Sequence, residues 1–162
     1  MAPSPDGAGQ DRPDPHGWNT VENFLFVHET RLAEHPFVDQ RRPHTLIFEE
    51  YELDGDTYYA LEGTVYCQRG VVLDVTKHYE TRVSGGRQQL RGFSYRYNAH
   101  VLNGHNLLRY DNRHDDAPNA YHRHLFDPET GREIEKRILA RHELPKFYDI
   151  LTEIHALITA PP

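Results

Sequence analysis

The sequence predicts an α+β fold: one curved, mostly antiparallel sheet of five or six strands, with helices at the N- and C-termini packed on one face. Two patterns predict it. Between residues 45 and 126 apolar and polar side chains alternate in short runs broken by turn dipeptides. Apolar residues recur at helical spacing only near the two ends of the chain. The length of 162 residues fits one domain large enough to bury its own core.

Residues 1–17 hold Pro3, Pro5, Pro13 and Pro15, three glycines and three aspartates. Such a segment cannot bury enough apolar surface to offset its ordering entropy, so it reads as a disordered leader before a single α+β domain over 18–160. Asn19 or Thr20 can cap a first helix near 20–35, where Val21, Phe24, Leu25, His28 and Leu32 follow at i, i+3, i+4 spacing and Pro36 lies just past the end. The continuous run Phe24–Val27 leaves a strand open as an alternative there.

The strand candidates are Thr45–Leu53, Thr57–Gln68, Val71–Val83, Leu90–Leu102, Asn106–Asp111 and Ala120–Phe126. Asp54-Gly55-Asp56, Ser84-Gly85-Gly86 and Asn103-Gly104 are the hairpin turns between them. In the third strand Val71, Leu73, Val75 and Tyr79 share one face. In the fourth, Phe93, Tyr95, Tyr97, Ala99 and Val101 share a face with Arg91 in register, and Ser94, Arg96, Asn98 and His100 share the other. Asp127-Pro128 to Gly131 makes a turn, and Asp115–Asn119 another. Leu144, Phe147, Tyr148, Leu151, Ile154, His155 and Ile158 then trace a C-terminal helix with Pro145 in its first turn.

Several function classes are excluded early. No stretch approaches the roughly 20 apolar residues of a membrane helix. The N-terminus lacks the basic and apolar regions of a secretory signal. The single cysteine, Cys67, can form neither an internal disulfide nor a cysteine-based zinc site, which suits a cytoplasmic protein and a structural thiol. The net charge of −7 argues against a general nucleic-acid coat protein. That charge is uneven, however: residues 87–141 carry 10 basic and 7 acidic side chains. There Arg91, Arg96, Arg109, Arg113 and Arg123 interleave with Tyr95, Tyr97, Tyr110 and Tyr121. Arginine forks suit phosphates and tyrosine rings suit bases, although strands favour tyrosine in any case.

The chain has 12 histidines. His16, His35, His44 and His142 read as surface residues; His28 and His155 lie on apolar helix faces and read as core. His122 and His124 are two apart, so on a strand both imidazoles share a face. Asp111 and His114 lie shortly before them, and Arg109 shares a strand face with Asp111. Such a cluster has two chemical uses. Asp111, His122 and His124 could hold a divalent metal such as Zn or Mn. Alternatively the histidines could work as general acid and base without a metal, with an arginine steadying phosphoryl charge.

The order Tyr95-Arg96-Tyr97, then Leu108-Arg109-Tyr110-Asp111-Asn112, then His114, then Tyr121-His122-Arg123-His124 resembles the TumE-type toxins of type II toxin–antitoxin modules. The resemblance covers about residues 45–158, and its specific part about 93–126. It implies a growth-inhibiting toxin that attacks RNA and is neutralised by a cognate antitoxin. It puts functional weight on Arg109, Asp111, Asn112, His114, His122 and His124. In an endoribonuclease of this kind Arg109, Asp111, His114, His122 and His124 form the catalytic group, and Tyr95, Arg96, Tyr97, Asn112 and Arg123 contact the RNA. A homodimer is a further expectation, as are two other readings of the cluster: a metal-dependent phosphodiesterase, and a non-enzymatic protein-binding module.

Overall fold

Glycine-bearing turns set the sheet. In the computed structural model, which describes residues 17–112 and 121–160, Asp54 and Gly55 both have positive φ (52° and 83°), as do Gly85 and Gly86 (59° and 74°). Two successive left-handed residues twist a hairpin in the direction that flanking strands require. The first pair joins β2 (Ile47–Leu53) to β3 (Asp56–Tyr66), and the second joins β4 (Val71–Ser84) to β5 (Arg87–Val101). Asn103 (φ 57°) also turns the chain, but one position earlier than a two-residue Asn-Gly loop would: the Gly104 N–H donates to the Val101 carbonyl at 2.8 Å. It leads into β6 (Asn106–Asp111). β7 (Tyr121–Phe126) and β8 (Glu133–Leu139) follow, joined by a turn in which the Gly131 N–H donates to the Asp127 carbonyl at 2.8 Å.

The sheet runs β2-β3-β4-β5-β6-β7-β8, each strand antiparallel to the next. A two-residue strand, β1 (Asn19–Thr20), pairs with Leu90 and Gln89 of β5. The sheet thus has eight strands, not five or six. The two extra ones escape sequence reading for different reasons. β1 is too short to show a period. β8 reads Glu-Ile-Glu-Lys-Arg-Ile-Leu, is exposed along all but its last residue, and carries the charges that protect a sheet edge from further pairing.

Both helices cover one face. Thr20 caps α1 (Val21–Glu34), its hydroxyl accepting from the Asn23 N–H at 3.2 Å. The helical register turns Phe24 onto Tyr79 (5.0 Å between ring centres) and Phe48 (5.3 Å), and leaves Phe26 and Val27 exposed, so no strand forms there. α2 (Phe147–Thr159) buries Ile150, Leu151 and Ile154. Between helices and sheet lie Val65, Leu73, Val75, Tyr79, Tyr95 and Tyr97, all almost fully buried. None of the helices among the described residues is long and apolar enough to cross a membrane.

Two sequence expectations change here. A bulge in β5 places Ser94 opposite His78 but Gly92 opposite Tyr79, leaving Phe93 as the extra residue. The parity of β5 therefore flips: Phe93 is exposed rather than aligned with Tyr95, and Arg91 sits on the outer face, where it pairs with Glu80 and stacks over Trp18. His35 is buried rather than a surface residue, its Nδ1 accepting from the Phe37 N–H and its Nε2 bonded to Thr152 Oγ1, both at 3.0 Å. Cys67 follows β3 and is buried; burial pushes its thiol up to about 12, as a structural thiol requires.

Lys77 lies on β4 in phase with the apolar face. It is buried among Tyr79 and Tyr95, with its Nζ 5.0 and 4.8 Å from their ring centres. Burial lowers the amine from 10.5 to about 7, and Arg141 adds to the shift. Between those values the unfolded chain binds more protons than the folded one, so stability rises with pH. Melting curves from pH 7 to 10 should therefore show the wild type gaining on Lys77→Met as pH rises.

Candidate active site

Strand parity assembles the cluster. Across β6 and β7, Arg109 lies opposite His124 and Asp111 opposite His122. Across β5 and β6, Arg96 lies opposite Asp111 and Asn98 opposite Arg109. With side chains alternating along each strand, all six project from the outer face, away from the helices.

Asp111 is the hub. Its Oδ2 is 2.9 Å from Arg109 Nε and 3.6 Å from His124 Nε2, and its Oδ1 is 3.9 Å from His122 Nδ1. On the other side of its ring, His124 Nδ1 is hydrogen-bonded to Glu133 at the start of β8. That bond holds the Glu133 carboxyl below its ordinary value. Both nitrogens of His124 thus face a carboxylate, which fixes the orientation of the ring. The His122 and His124 ring centres are 6.1 Å apart, and Phe126 stacks beside His124 at 6.4 Å with the Arg109 guanidinium over it at 5.7 Å.

The imidazoles are deeply set, with side-chain exposures of 5% for His122 and 3% for His124; Arg109 reaches 26% and Arg96 is exposed. The arginines therefore form the solvent side of the cluster and the histidines its floor.

Not every expected residue is brought here. Tyr95 and Tyr97 are 0% and 2% exposed on the opposite, helix-covered face, so neither ring is available to a base at this cluster. The Asn112 side chain is spent on the backbone: its Oδ1 accepts from the Tyr95 N–H at 2.9 Å and its Nδ2 donates to the Phe93 carbonyl at 2.8 Å, closing the ladder beside the β5 bulge. Arg123 also projects to the helix side. Its Nε donates to Glu153 Oε1 of α2 at 2.9 Å and its Nη1 to Glu135 at 3.1 Å. His114 lies outside the described residues, as do Arg113 and the turn at 115–119.

Two features escaped sequence reasoning. Glu133 belongs to the unrecognised β8, whose pairing with the His-x-His strand would have pointed to it. Phe93, displaced by the bulge, meets outer-face aromatics instead: its ring lies 5.8 Å from Tyr58 and 6.2 Å from His78, and Tyr58 stacks on Tyr51 at 5.5 Å.

Among the described residues no group of three or more His, Cys, Asp or Glu side chains is arranged to hold a metal ion. Asp111, His122 and His124 are neighbours, but Arg109 occupies Asp111 Oδ2, the oxygen a Zn or Mn ion would share with His124.

The family model described as Toxin TumE matches residues 33–160. The chain belongs to the TumE toxin family. The match takes in β2 to β8 and α2, and with them every member of the cluster; it begins earlier in the chain than the sequence resemblance, at the end of α1. No curated protein and no solved structure matches the chain. Membership in TumE supports a toxin role, and a toxin of this kind implies an antitoxin partner.

Proposed function

We propose that this TumE-family chain is an endoribonuclease toxin that cleaves RNA by metal-independent acid–base chemistry, with Arg109, Asp111, His122 and His124 as its machinery. The observation that carries the reading is the pair of imidazoles 6.1 Å apart, sharing one carboxylate and one arginine. That spacing suits groups flanking a phosphodiester, because attacking and leaving oxygens sit on opposite sides of phosphorus.

In this reading one imidazole takes the proton of the ribose 2′-hydroxyl while its oxygen attacks phosphorus. The P–O5′ bond breaks, and the other imidazole, protonated, gives its proton to the departing oxygen. The products are a 2′,3′-cyclic phosphate and a 5′-hydroxyl. Arg109 neutralises the charge gathering on the phosphoryl oxygens, and Asp111 keeps the rings in place. Arg96 extends the positive surface along β5 toward Phe93, Tyr58 and Tyr51, which offer unstacked bases a platform on the same face. His114 would act as a further catalytic residue. A cognate antitoxin would silence the protein by covering Arg96 and Arg109.

Induced expression tests this. Wild type should arrest growth, and Arg109→Ala should relieve the arrest in a chain that circular dichroism shows to be folded, with some loss of melting temperature because the buried Asp111 carboxylate loses its arginine. An Arg109→Ala variant as toxic as wild type contradicts the assignment. A folded, toxic chain that turns over no RNA yet holds a stable protein partner would favour the binding-module reading.

A further inference from the structure

On the other face of the sheet a cavity of about 290 Å³ lies between α1, the start of α2 and strands β3 to β5. Small-molecule sites begin at roughly this size. Its walls are Phe24, Leu61, Leu90, Tyr97 and Phe147. Three polar side chains interrupt them: Lys77, Tyr79 and His28.

Among the described residues, two of the three lack a hydrogen-bond partner, and the third has no counter-charge. The Tyr79 hydroxyl and His28 Nε2 are buried without a hydrogen-bond partner, in a residue only 2% exposed in the case of Tyr79. Lys77 is 9% exposed and meets two tyrosine rings; among the described residues no carboxylate pairs with it. A buried cation is ordinarily paired, and a buried hydroxyl ordinarily bonded. Two unbonded polar atoms and a cation with no carboxylate beside one cavity cost stability that a passive core would recover with leucine or phenylalanine.

The cavity is also shaped for the lysine. A side chain at Gly92 would put its Cβ 2.4 Å from Tyr95 Oη and 2.9 Å from Lys77 Cε, so the β5 bulge and its glycine make the space that the lysine stem occupies. The mouth carries Arg31 and Lys146 against one acid, Asp149, which is already bonded to the Lys146 N–H at 3.3 Å.

We propose that this cavity is a binding site for a small organic carboxylate with an apolar, ring-sized body. The carboxylate would accept from Lys77 Nζ, the Tyr79 hydroxyl and His28 Nε2, and the body would fill the aromatic walls. Each group is in a fitting state: burial holds His28 neutral near pH 7 by lowering it to about 4, so its Nε2 can carry a proton, and an anion beside Lys77 would favour its charged form. The proposal is independent of the endoribonuclease reading, since it uses the opposite face of the sheet and a readout other than toxicity.

The test is calorimetric titration of the full chain with sodium phenylacetate and sodium benzoate, with phenylacetamide and benzamide as uncharged matches. The carboxylates should bind one to one and raise the melting temperature, and the amides should bind at least tenfold more weakly. Lys77→Met should abolish the preference for carboxylate while raising the melting temperature of the free protein. Tyr79→Phe, which keeps the ring, should weaken carboxylate binding several-fold in a folded chain. Absence of binding by both carboxylates at millimolar concentration, equal binding of acids and amides, or unchanged binding by either variant would overturn the proposal.

Discussion

Arg123→Ala should lower the melting temperature by roughly 6–12 °C, corresponding to a loss of roughly 3 kcal/mol in a chain of this size. The reason lies in a three-residue tie between sheet and helix. Arg123 on β7 donates to Glu153 of α2 at 2.9 Å, Tyr110 on β6 donates to the same carboxylate at 2.6 Å, and the Arg123 Nε also donates to the Tyr110 hydroxyl at 3.2 Å. The arginine side chain is 12% exposed and Glu153 27%, so the pair is sheltered from the screening that weakens surface ion pairs. Burial alone would lower the Arg123 pKa, but the Glu153 hydrogen bond and charge outweigh it and raise it. Removing the guanidinium leaves the sheltered Glu153 carboxylate without its cation, held only by the Tyr110 hydroxyl. Thermal denaturation checks this, and Arg123→Lys, which keeps a charge but not the fork, should recover only part of the loss. A variant that melts with the wild type would show that β7 is not held to α2 through this contact.

The second large effect concerns the proposed chemistry. His124→Gln should lower the rate of RNA cleavage by about 10²–10⁴-fold, the usual contribution of a positioned acid or base. Glutamine keeps hydrogen-bonding capacity toward Glu133 and Asp111, so the fold should survive a change that removes proton transfer. Glu133→Gln is the informative companion. It leaves the imidazole but removes one of its two carboxylates, so it should alter the pH dependence of cleavage more than the maximal rate. Equal, complete loss in both variants would point to a structural role for the His124–Glu133 contact.

Much of this architecture was legible in the residues because local chemistry wrote it. Asp54-Gly55 and Gly85-Gly86 mark turns through conformations that glycine favours, and the alternation of Val71, Leu73, Val75 and Tyr79 fixes which face of β4 is buried. The six recognised strands match because each carries such a signal. β8 carries none: its glutamates, lysine and arginine suit an edge strand, a solvated helix and a loop equally well. With β8 went Glu133, the second carboxylate on His124.

The candidate site divided along the same lines. Arg109, Asp111, His122 and His124 lie within regular strands, where a period of two places side chains reliably, and the structure brings them together. Tyr95 and Tyr97 share a strand with Arg96, but alternation puts them on the buried face, and tyrosines are as much at home in a core as in a binding surface. Phe93 moved outward because a bulge shifts parity by one residue and leaves no compositional trace. Asn112 and Arg123 were plausible ligand contacts by type alone; only their partners, the backbone of β5 and Glu153, reveal what they hold. Lys77 is the converse case, a charged residue in phase with the apolar face of β4, visible in the alternation as an interruption.

Metal-independent catalysis is tested most directly by what the purified chain does to RNA when divalent ions are removed. Incubated with single-stranded RNA in excess EDTA, the wild type should cleave, leaving 2′,3′-cyclic phosphate and 5′-hydroxyl ends, and Arg109→Ala should not. Cleavage that stops with EDTA and returns with Zn or Mn, or products ending in a 3′-hydroxyl, would contradict metal-independent catalysis by His122 and His124.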